Sequence, residues 1–215
     1  MRGQRMGVKV LATRLIPNAS PGLCAALGVR EALRVLALLT TDCDDATYIA
    51  LDAATKTANV EVAYARSFYA GAANASTRLA GEVIGVLAGA TPSEVRSGLN
   101  AALSALEDLG FRSANEAGDI VYLAHCVART GSYLSAQAGV PQGAPLAYLI
   151  APPLEALFGL DAALKAAAVE LKQCFTPPSE TNFAGGLLTG TESACRAACE
   201  AFAQAVEAVA DAPQA

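Results

Sequence analysis

The sequence has no tryptophan, a single histidine and few charges: Asp, Glu, Lys and Arg together make up 16% of its 215 residues. One imidazole, His125, excludes histidine-cluster metal chemistry and leaves little room for a catalytic triad. It lies in YLAHCVA, a strand-like run, where neighbouring side chains point to opposite faces. His125 and Cys126 are therefore not within reach of each other as a nucleophile and its base, and His125 reads as structural. P-loop, G-x-G-x-x-G and G-x-S-x-G motifs are all missing. There is no basic run and the net charge is -5, so nucleic acid is not an expected partner. Mean hydropathy is +0.37, yet no apolar run reaches the roughly 20 residues that a spanning helix needs. The best stretch, Ala144–Leu160, is interrupted by Pro145, Pro152, Pro153 and Glu155. Met1–Val10 carries Arg2 and Arg5 with no apolar signal-peptide core behind them, which predicts a cytoplasmic protein outside the membrane. The six cysteines read as free thiols, because the chain is neither short nor visibly secreted.

What is present is small and apolar. Hydrophobic residues make up 53% of the chain, much of that alanine. Such a composition supports a packed core, and with so few charges it suits broad, flat contact with other protein.

The chain also repeats itself. LDAATKTANVEV (Leu51–Val62) matches LDAALKAAAVEL (Leu160–Leu171) in register. Upstream, Val10-Leu11-Ala12 corresponds to Tyr122-Leu123-Ala124, and Leu27-Gly28-Val29 to Ala138-Gly139-Val140; downstream, Pro92–Leu109 corresponds to Glu192–Ala208. Two copies of one unit follow, 1–110 and 111–215, with the polar stretch Gly110–Gly118 as linker. Each copy reads as strand, short helix, strand, helix, strand, loop, strand, helix. In the first copy the strands are expected at Val8–Arg14, Leu33–Thr40, Asn59–Tyr64 and Ala80–Ala88. The clearest helix is Pro92–Leu109, with Thr91 as N-cap, Pro92 at N1, Glu94 at N3 and Gly110 closing it. This is an α/β chain of the α+β type, with one small sheet per copy and helices packed on it.

Cys195 and Cys199 stand at i, i+4 and would suit a metal by spacing alone. In the repeat, however, Cys195, Cys199, Phe202 and Val206 take the places of Val95, Leu99, Ala102 and Leu106, the apolar stripe of the equivalent helix. They read as core, and no metal, cofactor or catalytic residue is expected. FAGGLLTG (Phe183–Gly190) is Gly-rich without the lysine of a phosphate loop; its counterpart is YAGAANAS (Tyr69–Ser76).

Asp42, Asp44 and Asp45 form the densest acidic cluster. One reading is that Asp44 or Asp45 caps a helix running to Ala58. EF-hand spacing is absent. The second copy has Ala-Pro-Pro-Leu-Glu (Ala151–Glu155) at this place, so the cluster also reads as a site belonging to one half only. Glu82 opens a strand otherwise built of Gly, Val, Ile and Leu, which is costly unless the carboxylate is solvated or meets a cation.

The segments DCDDATYIALDAATK, VEVAYARSFYAGAANAS, LAGEVIG, RTGSYLS, AYLIAPPLEALFGLDAALK, PPSETNFAGGLLTG and ACRAACEAF closely resemble the L-type shell protein of the ethanolamine-utilisation bacterial microcompartment, over about Leu33 to Ala208. The resemblance implies two tandem, circularly permuted microcompartment domains, each a mainly antiparallel sheet flanked by helices. It implies a pseudohexameric homotrimer that tiles with other shell proteins, a gated central channel, and a small pore in each subunit that binds or passes ethanolamine. The family's ligand positions match Asp44, Asp45, Glu82 and Phe111. The two small-residue loops, Arg66–Ser76 and Pro178–Gly186, would surround and gate the central axis. They carry Phe68, Tyr69, Gly71 and Asn74 on one side and Glu180, Asn182, Phe183 and Gly185 on the other. Gly71, Gly185 and Gly186 would give them freedom for two conformations. A soluble amine-binding sensor that forms no lattice is the alternative.

Overall fold

The computed structural model describes residues 1–68 and 82–214. The chain divides into two compact units: a first unit of Gly7–Leu109 with Gly131–Leu134, and a second of Met1–Met6, Gly110–Thr130 and Ser135–Ala215. Chain order would not assign Met1–Met6 to the second unit, or Gly131–Leu134 to the first.

The first unit runs β1 (Val10–Ile16), α1 (Pro21–Ala26), a 3-10 turn (Glu31–Leu33), β2 (Val35–Thr41), α2 (Asp44–Thr57), β3 (Val60–Phe68), β4 (Glu82–Gly89) and α3 (Pro92–Leu106). Its four strands are antiparallel, in the order β1-β2-β4-β3. The second unit contains β5 (Arg112–Ser113), β6 (Val121–Val127), β7 (Leu146–Ala151), α5 (Pro153–Ala166), β8 (Val169–Phe175), β9 (Ala184–Gly190) and α6 (Glu192–Asp211), with sheet order β5-β6-β7-β9-β8. Helix α4 (Ser132–Ala138) begins in the first unit and ends in the second. The order β6-β7-β9-β8 repeats β1-β2-β4-β3. The register shifts at the same place in both copies, between Val62 and Tyr64 in β3 and between Leu171 and Gln173 in β8.

The central strands β4 and β7 are almost wholly buried, which is why they read as continuous apolar runs rather than alternating ones. Helix α3 starts as expected: the Thr91 hydroxyl accepts from the Glu94 N–H at 3.3 Å and donates to its carboxylate at 2.9 Å. Thr191 caps α6 at the equivalent place, accepting from the Ala194 N–H. The α3 end was misplaced. The helix stops at Leu106, and Gly110 serves a different need. Its φ is +144°, and an added Cβ would lie 2.0 Å from the Met6 carbonyl oxygen, so glycine lets these segments pass. In the second unit, Cys195, Cys199, Phe202 and Val206 are buried with Leu149, Leu160 and Leu188, the core role read from the repeat. Burial pushes the Cys199 thiol up to about 12, so it stays neutral and behaves as a small apolar side chain.

Candidate functional site

The acidic cluster sits where β2 hands over to α2. The turn is held by its own hydroxyls: the Cys43 N–H donates to Thr41 Oγ1 at 3.1 Å, and Thr47 Oγ1 donates to the Cys43 carbonyl at 2.8 Å. Cys43 is the N-cap residue and its side chain makes no capping bond. The expectation that Asp44 or Asp45 caps α2 is thereby corrected: both lie inside the first turn, where the helix dipole still favours negative charge. Asp42 has a separate task, accepting the Lys9 N–H at 2.8 Å.

Asp44, Asp45 and Glu82 are all buried, at 5%, 8% and 8% exposure. Asp44 Oδ1 accepts the Asp45 N–H at 2.8 Å. Burial and then the neighbouring Asp45 charge hold the Asp44 carboxyl well above its usual range, against a side-chain hydrogen bond with Ser67 that lowers it. Glu82 is brought to the same end of the sheet by register. Thr41 and Ser67 both face Val83, and Phe68 faces Glu82. The Ser67 hydroxyl stands 3.3 Å from the Glu82 carbonyl oxygen. Strand alternation starts the Glu82 side chain on the opposite face from Val83 and Ser67.

The second unit has no carboxylate at the three equivalent positions, although Glu155 stands one residue further on in the first turn of α5. By register, Phe183 stands where Glu82 stands, and Pro153 and Leu154 replace Asp44 and Asp45. Phe183 packs edge-on to Phe111, with ring centroids 5.6 Å apart. Phe111 is 3% exposed, and its carbonyl accepts the Met6 N–H at 2.8 Å.

Of the residues assigned to gating loops, Tyr69, Gly71 and Asn74 lie outside the described residues. Phe68 ends β3 and is 42% exposed. Glu180, Asn182 and Phe183 belong to a folded turn: Ser179 Oγ donates to the Phe183 carbonyl at 2.8 Å, and Asn182 has a φ of +61°. Gly185 and Gly186 require a correction. They are not loop hinges but lie in β9, paired on both sides, to β7 and to β8. A Cβ on Gly185 would meet the Leu149 carbonyl oxygen at 1.9 Å, so glycine here serves close strand approach. Sequence reading also missed Asp52. It is wholly buried and accepts the N–H groups of Gly131 and Leu134 at 2.7 and 2.8 Å. The repeat gave no signal for it, because its counterpart Asp161 has the same sequence neighbours and an exposed side chain.

Over 214 residues, 99% of each chain, the sequence is 59% identical to the bacterial microcompartment shell protein EutL of Clostridium perfringens (strain 13 / Type A). The chain belongs to the EutL family of bacterial microcompartment shell proteins. A second EutL, from Salmonella typhimurium (strain LT2), is 52% identical over 198 residues, 92% of this chain and 90% of that one. The crystal structure of the ethanolamine utilization protein EutL from Leptotrichia buccalis C-1013-b superposes with a TM-score of 0.96 at 59% identity, covering all of both chains. A family profile described as BMC domain matches residues 36–116, from β2 to just past β5. Two antiparallel sheets with flanking helices are thus the EutL architecture, of the α+β type expected from the sequence. Among the described residues no helix is long and apolar enough to cross a membrane.

Proposed function

We propose that this shell protein assembles as a homotrimeric, pseudohexameric disc in the cytoplasmic shell of an ethanolamine-utilisation microcompartment. The disc tiles with other shell proteins, takes no part in catalysis and carries a gated central pore. Asp44, Asp45 and Glu82 bind ethanolamine as its ammonium ion on the way through a smaller pore. Phe111 is added as the aromatic contributor on the family resemblance. The observation that carries the site is its one-sidedness. Asp44, Asp45 and Glu82 are buried in one unit, where the other has Pro153, Leu154 and Phe183. A helix start that only needed to be stable would not require all of them, since α5 begins with Glu155 alone in its first turn. An ammonium ion stabilises the Asp44 carboxylate against the burial, and then the Asp45 charge, that raise its pKa, and its N–H groups make charge-assisted bonds to carboxylate oxygens.

Isothermal calorimetry with ethanolamine tests this. Each charge-assisted bond contributes about 1.5–3 kcal/mol, so Glu82→Gln should weaken binding about tenfold or more. Equal affinity in wild type and Glu82→Gln removes Glu82 from the site. Sheets or tubes in negative-stain micrographs support the shell role, and dispersed particles at high concentration support the sensor alternative.

A further inference from the structure

Helices α2 and α5 are one fourteen-residue helix occurring twice, but their outer faces differ in cover. On α2, Asp45, Ile49 and Asp52 are 8%, 4% and 0% exposed. Their equivalents on α5 are Leu154 and Phe158, at 63% and 55%, and Asp161, whose side chain is 59% exposed; Leu157 adds 49%. This is an apolar face with a carboxylate beside it, left exposed among the described residues.

Within the first unit, the segment Gly131–Leu134 is seated on the α2 face. Asp52 accepts its Gly131 and Leu134 N–H groups, Thr55 Oγ1 accepts the Ser132 N–H at 3.0 Å, and the Tyr133 ring lies 6.2 Å from Tyr48. Leu134 is 2% exposed. This seated segment also has a repeat. The match of Leu27-Gly28-Val29 to Ala138-Gly139-Val140 places Ser20–Leu23 in its register. There Leu23, the equivalent of Leu134, is 38% exposed, and Gly22 has open space around it.

We propose that Ser20–Leu23 of one copy of the chain docks on the α5 face of a second copy, as Gly131–Leu134 docks on α2. Leu23 enters between Leu154, Leu157 and Phe158, and Asp161 faces Ser20. The inference rests on the trimer reading and names its seam. The substitutions at the two joints are matched in pairs. Pro21 stands for Ser132 and has no N–H; Leu164 stands for Thr55 and has no oxygen. Donor and acceptor are lost together, so no polar group is stranded and Pro21 can pack on Leu164. Gly22 stands for Tyr133 and Leu157 for Tyr48, an apolar contact in place of a ring pair.

One exchange alters the fit. A Cβ at Gly131 would meet Thr55 Oγ1 at 2.1 Å and the Asp52 carbonyl oxygen at 2.6 Å. Ser20 carries that Cβ, so the segment must stand further off α5 than its counterpart does from α2. Its hydroxyl, which already accepts the Leu23 N–H at 3.3 Å, bridges the gap by donating to Asp161. The joint between copies is therefore more apolar and less closely hydrogen-bonded than the joint inside each copy. Separation of copies should precede unfolding of the chain.

The test uses the full chain with Gly22→Cys and Leu157→Cys together, on a background in which Cys126 and the exposed Cys174 are changed to Ser, treated with a short bis-maleimide; the single variants and the control chain carry the same background. Light scattering of the wild type is run beside it. The double variant should give covalent dimers and trimers that neither single variant nor the control chain gives, and Phe158→Glu should bring the molar mass from three chains to one with an unchanged circular dichroism spectrum. A wild-type trimer whose double variant links no more than the singles, or whose Phe158→Glu form stays trimeric, overturns the docking while leaving the trimer. A wild type that is a single chain overturns both.

Discussion

Asp52 and Asp161 offer an experiment with its control inside the same molecule. Both occupy one position of one repeated helix, and both sit four residues before a lysine that pairs with them, Lys56 at 3.3 Å and Lys165 at 2.5 Å. They differ in what else they hold. Asp52 accepts two N–H groups of a buried segment, from Gly131 and Leu134. Asp52→Ala removes both acceptors, and each stranded donor costs about 1–3 kcal/mol. With some water entering the space left behind, the sum should be about 3 kcal/mol. Asp161→Ala removes only an exposed i, i+4 pair, worth about 0.3–0.5 kcal/mol to the fold. The assay is urea unfolding at two protein concentrations, with the midpoint compared at constant slope. The Asp52 effect should not vary with concentration, because its partners lie in its own chain. Any larger Asp161 effect should appear only in the concentration-dependent part. If the two alanine variants fall within about 0.5 kcal/mol of each other at every concentration, the N–H groups of Gly131 and Leu134 do not depend on Asp52.

Asp44 should make stability depend on pH with an unusual sign. Its native carboxyl is raised by burial and by Asp45, so the folded chain keeps a proton that the unfolded chain releases near the ordinary Asp value of about 3.9. Between that pH and the raised native value, stability should fall as pH rises. Asp44→Asn should flatten this slope in urea titrations at stepped pH, and ethanolamine binding should release a proton, read as a dependence of calorimetric heat on the buffer. In the core, Gly159 fits under Phe202, whose ring edge would be 2.7 Å from an added Cβ. Gly159→Ala should cost about 1–3 kcal/mol. Pairing it with Phe202→Leu should cost less than the two changes summed, and strict additivity would mean that the ring is not what excludes the methyl group.

Much of this architecture could be read from the chain because it is written twice. The succession of strands and helices and the buried stripe of α6 follow from matching one half to the other, whereas the order of strands in each sheet came from the structure. The errors were of another kind. Gly185 and Gly186 resemble hinge residues in sequence, yet strands on both sides close around them. Asp44 and Asp45 resemble caps, but the hydroxyls of Thr41 and Thr47 tighten the turn so that Cys43 takes the cap position. Asp52 and Asp161 have nearly the same neighbours in sequence and opposite surroundings in space. Local pattern reports the helix, whereas burial is decided by segments far along the chain, and no periodicity records those.

The joining of two units in one chain also changes what a mutation can do. In a ring of six identical single-unit chains, any acid placed at one pore appears at all six, and so does its repulsion. A fused pair lets an acidic start such as Asp44-Asp45 evolve opposite a Pro-Leu start such as Pro153-Leu154. Each substitution is then counted three times around such a ring instead of six. Two kinds of passage can alternate around one axis, and each can be adjusted without altering the other.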